Sequence, residues 1–193
     1  MNLFLILLAL AALRFAKPPL ATYLAAPALL ACAYAGLTFP DIDQPLPLDH
    51  RSALTHGIAP ALALTAWPWA RPAAAGLAFG VGLHLAADIF PNAMTGYATV
   101  AVPFAGRLDA GGSYLWLIAN TAACAALGLW LLVRALPHVA MRAAALLGVA
   151  LIGLSYLPSV DGGWPALVIL LCAGWLGVRG RLPRLPGRAT ARP

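Results

Sequence analysis

The sequence predicts an all-α fold, a polytopic membrane helix bundle with about six to seven hydrophobic helices. Three observations carry this. Of 193 residues, 62% are hydrophobic and 9% are charged, whereas soluble domains carry roughly 25% charged residues; mean hydropathy is +0.85. Long apolar runs rich in Ala, Leu, Gly and Val are separated by short turns that hold most of the Pro and Arg. The basic residues cluster at alternate turns and in a C-terminal tail, which is how inserted chains mark their cytoplasmic side. The net charge of +6 therefore reads as attraction to membrane lipid. No nucleic-acid contact is expected.

In chain order, residues 2–13 form a short first helix that ends at Arg14 and Lys17, before Pro18 and Pro19 break the chain. Residues 20–39 are a second span, and 40–51, with prolines at 40, 45 and 47, a loop. Residues 52–69 are a third span, with Ser52 as its N-cap. After a turn at Arg71-Pro72, residues 73–90 are a fourth, whose Gly76, Gly80 and Gly82 allow close helix approach. Residues 91–112 are a semi-polar connection, re-entrant or interfacial. Residues 113–133, 143–157 and 164–178 are the fifth to seventh spans. One integral membrane domain thus covers 1–180, and 181–193 is a basic tail containing Arg181, Arg184, Arg188 and Arg192, continued from Arg179. Trp67, Trp69, Trp116, Trp164 and Trp175 lie near span ends and read as an interfacial belt. Cys32, Cys124 and Cys172 sit singly in apolar runs and read as small buried hydrophobes.

If the spans alternate, the turns at Arg14/Lys17, Arg71 and Arg134/Arg142 and the tail all fall on one side. That side is expected to be the cytoplasm, which makes this a multi-pass protein of the cell's inner (plasma) membrane. The 40–51 loop and the 91–112 connection then fall on the opposite face.

That loop holds the chain's chemistry. Phe39 to Gly57 contains Asp41, Asp43, Asp49, His50, Arg51 and His56, half of the six acidic residues and two of the four histidines. His84 and Asp88 follow at helical spacing, on one face. In a chain this apolar, each such group must be hydrated, paired or bound. His56 lies fifteen residues before Arg71 and His84 thirteen after it. In an antiparallel hairpin of two helices they reach similar depth, and Asp88 lies level with His50 and the Asp41/Asp43 loop. Asp-x-Asp in a Pro-rich extended loop can put both carboxylates on one side.

The candidate metal ligands are Asp41, Asp43, His50, His56, His84 and Asp88. Mixed carboxylate and imidazole donors suit one or two divalent ions: Zn, Mn or Fe. Arg51, which cannot ligate, is a candidate catalytic residue for an anionic substrate group, and Asp88 is a second catalytic candidate. Asp49 reads as solvated, and His138, Asp109 and Asp161 as turn residues without chemistry.

At these residues the chain resembles the YdjM-type inner-membrane-associated metal-dependent hydrolases. The likeness covers about residues 39–107 and rests on Pro40-Asp41-Ile42-Asp43, His50-Arg51, Thr55-His56, Gly80 with His84 and Asp88, and a tail with Pro91, Gly96 and Pro103. The chain departs from the family pattern at Gln44, where His is usual, and at Gly57, where Ser is usual. Its His-Arg to Thr-His spacing is one residue longer, and it lacks a His before His50. The resemblance implies metal-dependent hydrolysis. Together with the residues it leads to the expectation of a membrane-bound hydrolase that uses a metal-activated water on a phosphoester or lipid-like substrate. Two other readings stand beside it: a metal-stapled structural or regulatory membrane protein, and an ion or solute transporter. A transporter would need polar groups at several depths, and residues 113–178 hold few. A lipid phosphatase of the acid-phosphatase type would need a Pro-Ser-Gly-His segment that the chain lacks.

Overall fold

The computed structural model describes residues 3–179, with side chains for 3–172. Seven α-helices run in chain order: α1 Leu3–Phe15, α2 Leu20–Gly36, α3 Ala59–Leu64, α4 Arg71–Asp88, α5 Ala110–Ala135, α6 Val139–Tyr156 and α7 Gly163–Arg179. The tail at 181–193 and the side chains of Trp175 and Arg179 lie outside the described residues.

Helix α4 is the axis of the bundle. Almost every residue from Pro72 to Ala87 is buried, as befits a helix that is apolar all round. It packs between α2 and α5. Glycine permits the first of these contacts. A Cβ added at Gly76 would overlap the Leu29 carbonyl of α2, and one at Gly80 would overlap the Ala33 carbonyl and the Gly36 backbone. Two backbones approach this closely only where neither carries a side chain between them. On the α5 side, the Phe79 ring fills the space over Gly128.

Two helical stretches, Ala110–Ala135 and Val139–Ser159, are long and apolar enough to cross a membrane, and α1, α2 and the described part of α7 are shorter apolar helices. Their outer faces carry Leu115, Ile118, Trp130, Leu147, Leu151 and Ile169 in exposed positions. The expected third span is not one. Residues 52–58 form turns and α3 has six residues, about 9 Å of helix against the roughly 30 Å of a bilayer core. Pro60 sits in the first turn of α3, where proline is tolerated, and beyond its end Trp67 is extended (φ −111°, ψ 111°), as the residue before Pro68 is pushed to be.

The 91–112 connection contains a small antiparallel hairpin, β1 Ala101–Val102 with β2 Gly106–Arg107. This is a minor exception to the all-α expectation, and it positions the site. β1 runs alongside the 51–53 segment: Ala53 N–H donates to Ala101 O at 2.8 Å and Ala101 N–H to Arg51 O at 3.0 Å. Arg107 adds a hydrogen bond from Nη2 to His50 O at 3.1 Å.

Candidate metal centre

Asp41 and Asp43 lie on one 3₁₀ turn, Pro40–Asp43, directly after α2. The expected extended loop is therefore a tight turn, and its carboxylates diverge. Asp43 is fully buried. Its Oδ2 accepts from Ser52 N–H at 2.9 Å and Thr55 Oγ1 at 3.1 Å, and lies 3.1 Å from His56 Nδ1. Burial works to raise the Asp43 pKa, but these hydrogen bonds outweigh it and hold the carboxyl below its ordinary range. Asp43 therefore stands behind His56.

That contact sets the His56 ring. A carboxylate only accepts, so the proton sits on Nδ1 and the lone pair on Nε2. Burial pushes the His56 pKa down, against the pull of Asp43, so the ring is neutral near pH 7. The His56 carbonyl accepts from Trp116 Nε1 at 2.7 Å, which fixes the turn from the α5 side. Trp116 is half-buried beside the site, while Trp67, Trp69 and Trp164 are exposed.

His84 is oriented in the same way by a different acceptor. Its Nδ1 lies 2.8 Å from the carbonyl of Leu37, which can only accept, so Nδ1 carries a proton and Nε2 is the nitrogen turned toward the cluster. Tyr156, at the end of α6, brings its hydroxyl to 3.2 Å from the same Nδ1. The two Nε2 atoms face each other at 3.3 Å.

Asp88 joins them. Its Oδ2 is 3.4 Å from His84 Nε2 and 3.6 Å from His56 Nε2, and this buried oxygen has no hydrogen-bond partner among the described residues. Its Oδ1 accepts from Arg51 Nη2 at 2.8 Å. Asp41 Oδ1 lies 4.0 Å from His84 Nε2 and accepts from Gln44 Nε2 at 3.2 Å. Ligand atoms of Asp41, His56 and His84 all fall within 4.8 Å of one another, a cluster that could hold a metal ion. Asp41 is its exposed edge.

The remaining residues take other places. Arg51, 8% exposed, is committed to Asp88 and, through Nη1, to Ala98 O at 2.6 Å. Its backbone is left-handed at φ 58°, as is that of Asp49 at φ 63°. Each such non-glycine residue costs about 1 kcal/mol or more. The bonds of Arg51 O and Ala53 N–H with Ala101 of β1, and of His50 O with Arg107 of β2, hold this shape. His50 does not reach the converging atoms. It lies with Asp43, Gln44, Asp49 and Tyr97 around an open polar cleft of about 640 Å³, with Nδ1 3.9 Å from Asp43 Oδ1.

His56 and His84 thus meet, although the two-helix hairpin expected to bring them together does not exist. A turn delivers His56 and α4 delivers His84. Sequence reasoning missed Tyr156, Trp116 and the Leu37 carbonyl, which lie far along the chain or in its backbone and carry no motif. The signal of Thr55 was present in Thr55-His56. No family model, curated protein or solved structure matches the chain.

Proposed function

We propose that the protein is a membrane-bound, metal-dependent hydrolase whose divalent ion is held by His56, His84, Asp88 and Asp41. The observation that supports this reading is the convergence of ligand atoms. Two imidazole nitrogens at 3.3 Å and a buried carboxylate oxygen without a hydrogen-bond partner point at one spot, an arrangement that a bound cation satisfies at all three atoms at once. Two nitrogens bound tetrahedrally at about 2.0–2.1 Å from a metal ion lie about 3.3–3.4 Å apart, so the spacing accommodates Zn, Mn or Fe. Asp43 and the Leu37 carbonyl supply the outer hydrogen bonds that metal-bound histidines typically make.

When bound, such an ion contributes Lewis acidity and a more acidic water. The protein's own residues do the rest. Arg51 holds Asp88 Oδ1, so that Oδ2 stays aimed at the site. Gln44 holds Asp41 at the solvent edge. His50 and Asp49 line the polar cleft that a substrate's head would cross. An apolar cleft of about 400 Å³ lies between α4, α5, α6 and α7 and includes Leu83, beside His84, and Gly153, one turn from Tyr156. It supports a lipid-like phosphoester as the substrate. In this reading the helices form a multi-pass bundle in the inner membrane, with the site on the non-cytoplasmic face.

The test is elemental analysis of the detergent-purified protein, wild type against His84→Ala and Asp41→Ala. Stoichiometric metal in the wild type, reduced in both variants, and turnover of phosphoester lipids by the loaded wild type alone are expected. A metal-free wild type, even after incubation with zinc, would sink the reading and leave a proton-bridged imidazole pair in a structural membrane protein.

A further inference from the structure

The end of the bundle opposite the His/Asp cluster carries a second recess. It has a volume of about 240 Å³ and lies where α1 and α5 end and α2 and α4 begin, with Leu13, Thr22, Pro68, Trp69, Arg71 and Arg134 on its walls. Arg71 opens α4 and Asp88 closes it, which puts the recess about 26 Å from the cluster.

Charge is sharply divided between these two ends. Asp41, Asp43, Asp49 and Asp88 surround the cluster. Asp109 caps the start of α5, at the same end. Asp161 lies in the α6–α7 turn, beside Gly162, which packs on the Ala87 and Phe90 carbonyls at the C-terminal end of α4. All six acidic residues of the chain are thus accounted for, and none is at the recess.

Arg14, Lys17, Arg71, Arg134 and Arg142 are at the recess end. Arg142 is engaged with the carbonyls of Leu136 and Val133, which finishes α5. The guanidinium of Arg134 lies 4.0 Å over the Trp130 ring. Among the described residues neither Arg71 nor Arg134 forms an ion pair. The N-terminus of α4 adds its own partial positive charge to the recess. The half-buried Arg71, the exposed Arg134 and a helix start, with no carboxylate of the described residues beside them, favour an anion at this recess. The surface around the recess narrows the choice. Leu20, Tyr23, Trp130 and Val133 are large apolar groups exposed on α2 and α5 beside it, so a ligand with hydrocarbon below its anion is matched in both parts.

We infer that this recess binds the phosphodiester head group of an anionic phospholipid, with the phosphate against Arg71 and Arg134 and the chains along the exposed faces of α2 and α5. The inference rests on the membrane reading of the helices and is independent of hydrolysis or metal at the other end.

The test is native mass spectrometry of the full chain in detergent, titrated separately with phosphatidylglycerol, phosphatidylcholine and inorganic phosphate. One phosphatidylglycerol per chain is expected to stay bound under activation that strips phosphatidylcholine, and inorganic phosphate in equal amount is expected not to displace it. The double variant R71Q/R134Q is expected to hold it about twenty-five-fold less, at roughly fivefold per basic residue. R14Q/K17Q removes the same charge at the same end outside the recess and is expected to change retention less than about threefold. Equal retention of the two lipids by the wild type overturns the proposal whether or not any variant folds. Displacement by inorganic phosphate, or equal losses in the two double variants, overturns it as well, in favour of a free-anion site or of diffuse charge attraction.

Discussion

His56 and His84 face each other through Nε2 atoms 3.3 Å apart, and each ring is turned to that position by an acceptor at its Nδ1: the Asp43 carboxylate for one and the Leu37 carbonyl for the other. The outer contacts decide which nitrogen is free, so they decide what the pair can bind.

Asp43→Asn keeps the shape of the side chain and removes its charge. An amide that turns its NH₂ toward His56 would favour the wrong ring tautomer. Metal affinity is expected to fall about 10–100-fold, the usual cost of removing such an outer partner, with helical content retained. Competition with a chromogenic chelator measures this. Unchanged affinity would mean that Asp43 does not orient His56.

Arg51 is expected to act by holding Asp88, and its substitution is expected to appear in stability as well as activity. Arg51→Met leaves the partly buried Asp88 carboxylate without its partner at 2.8 Å, a loss of about 3 kcal/mol. In an Asp88→Asn background the same substitution is expected to cost less, with a coupling of about 1 kcal/mol or more. Thermal unfolding of the four proteins in one detergent completes the cycle. Strict additivity would release Arg51 from this role.

Gly80→Ala is expected to lower stability by about 1–3 kcal/mol, because the new Cβ meets the backbone of Ala33 and Gly36, which cannot move aside. Gly111→Ala, where the nearest atom lies at 3.9 Å, is the matched control and is expected to be neutral. Melting temperatures of the two variants separate the effect of contact from that of helix propensity.

Acidification of metal-stripped protein is expected to destabilise it through His56. Its folded pKa lies below the ordinary value of 6.5, so the unfolded chain takes up a proton first. The contribution is complete above that value and is lost as pH falls below it, by up to about 1.4 kcal/mol per pH unit. Asp43, also lowered from its ordinary 3.8, adds a loss of the same sign in stronger acid. The difference between wild type and His56→Gln, measured by denaturant unfolding between pH 8 and pH 5, isolates the histidine. A difference that does not vary with pH would contradict the burial argument.

Reporters fused after residue 45 and at the C-terminus are expected to read the non-cytoplasmic and cytoplasmic sides respectively. A cytoplasmic signal from the loop would invert the orientation.

The sequence by itself determined the helical class and the order of the helices, because hydropathy and proline or glycine punctuation are local properties. The boundaries of α1, α2, α4, α5, α6 and α7 follow the apolar runs within a few residues. It also marked Gly76 and Gly80 as points of close approach and brought Asp41, His56, His84 and Asp88 to notice as rare polar groups in an apolar chain. The third span misled because residues 52–69 are apolar enough for a helix while their prolines, and the hydrogen bonds that Arg51 and Ala53 make with Ala101, favour turns. Only the tertiary structure decided the division of labour at the site. Asp41 and Asp43 are two residues apart, yet the 3₁₀ turn sends one toward His84 and the other behind His56. Arg51 and His50 are adjacent, yet one is engaged with Asp88 and the other lies at an open cleft. Those outcomes depend on Leu37, Ala101, Trp116 and Tyr156, residues distant in sequence whose positions come from the packing of α2, α5 and α6 around α4. The direction of a side chain in a turn is set by the partners that reach it, and no local pattern records them.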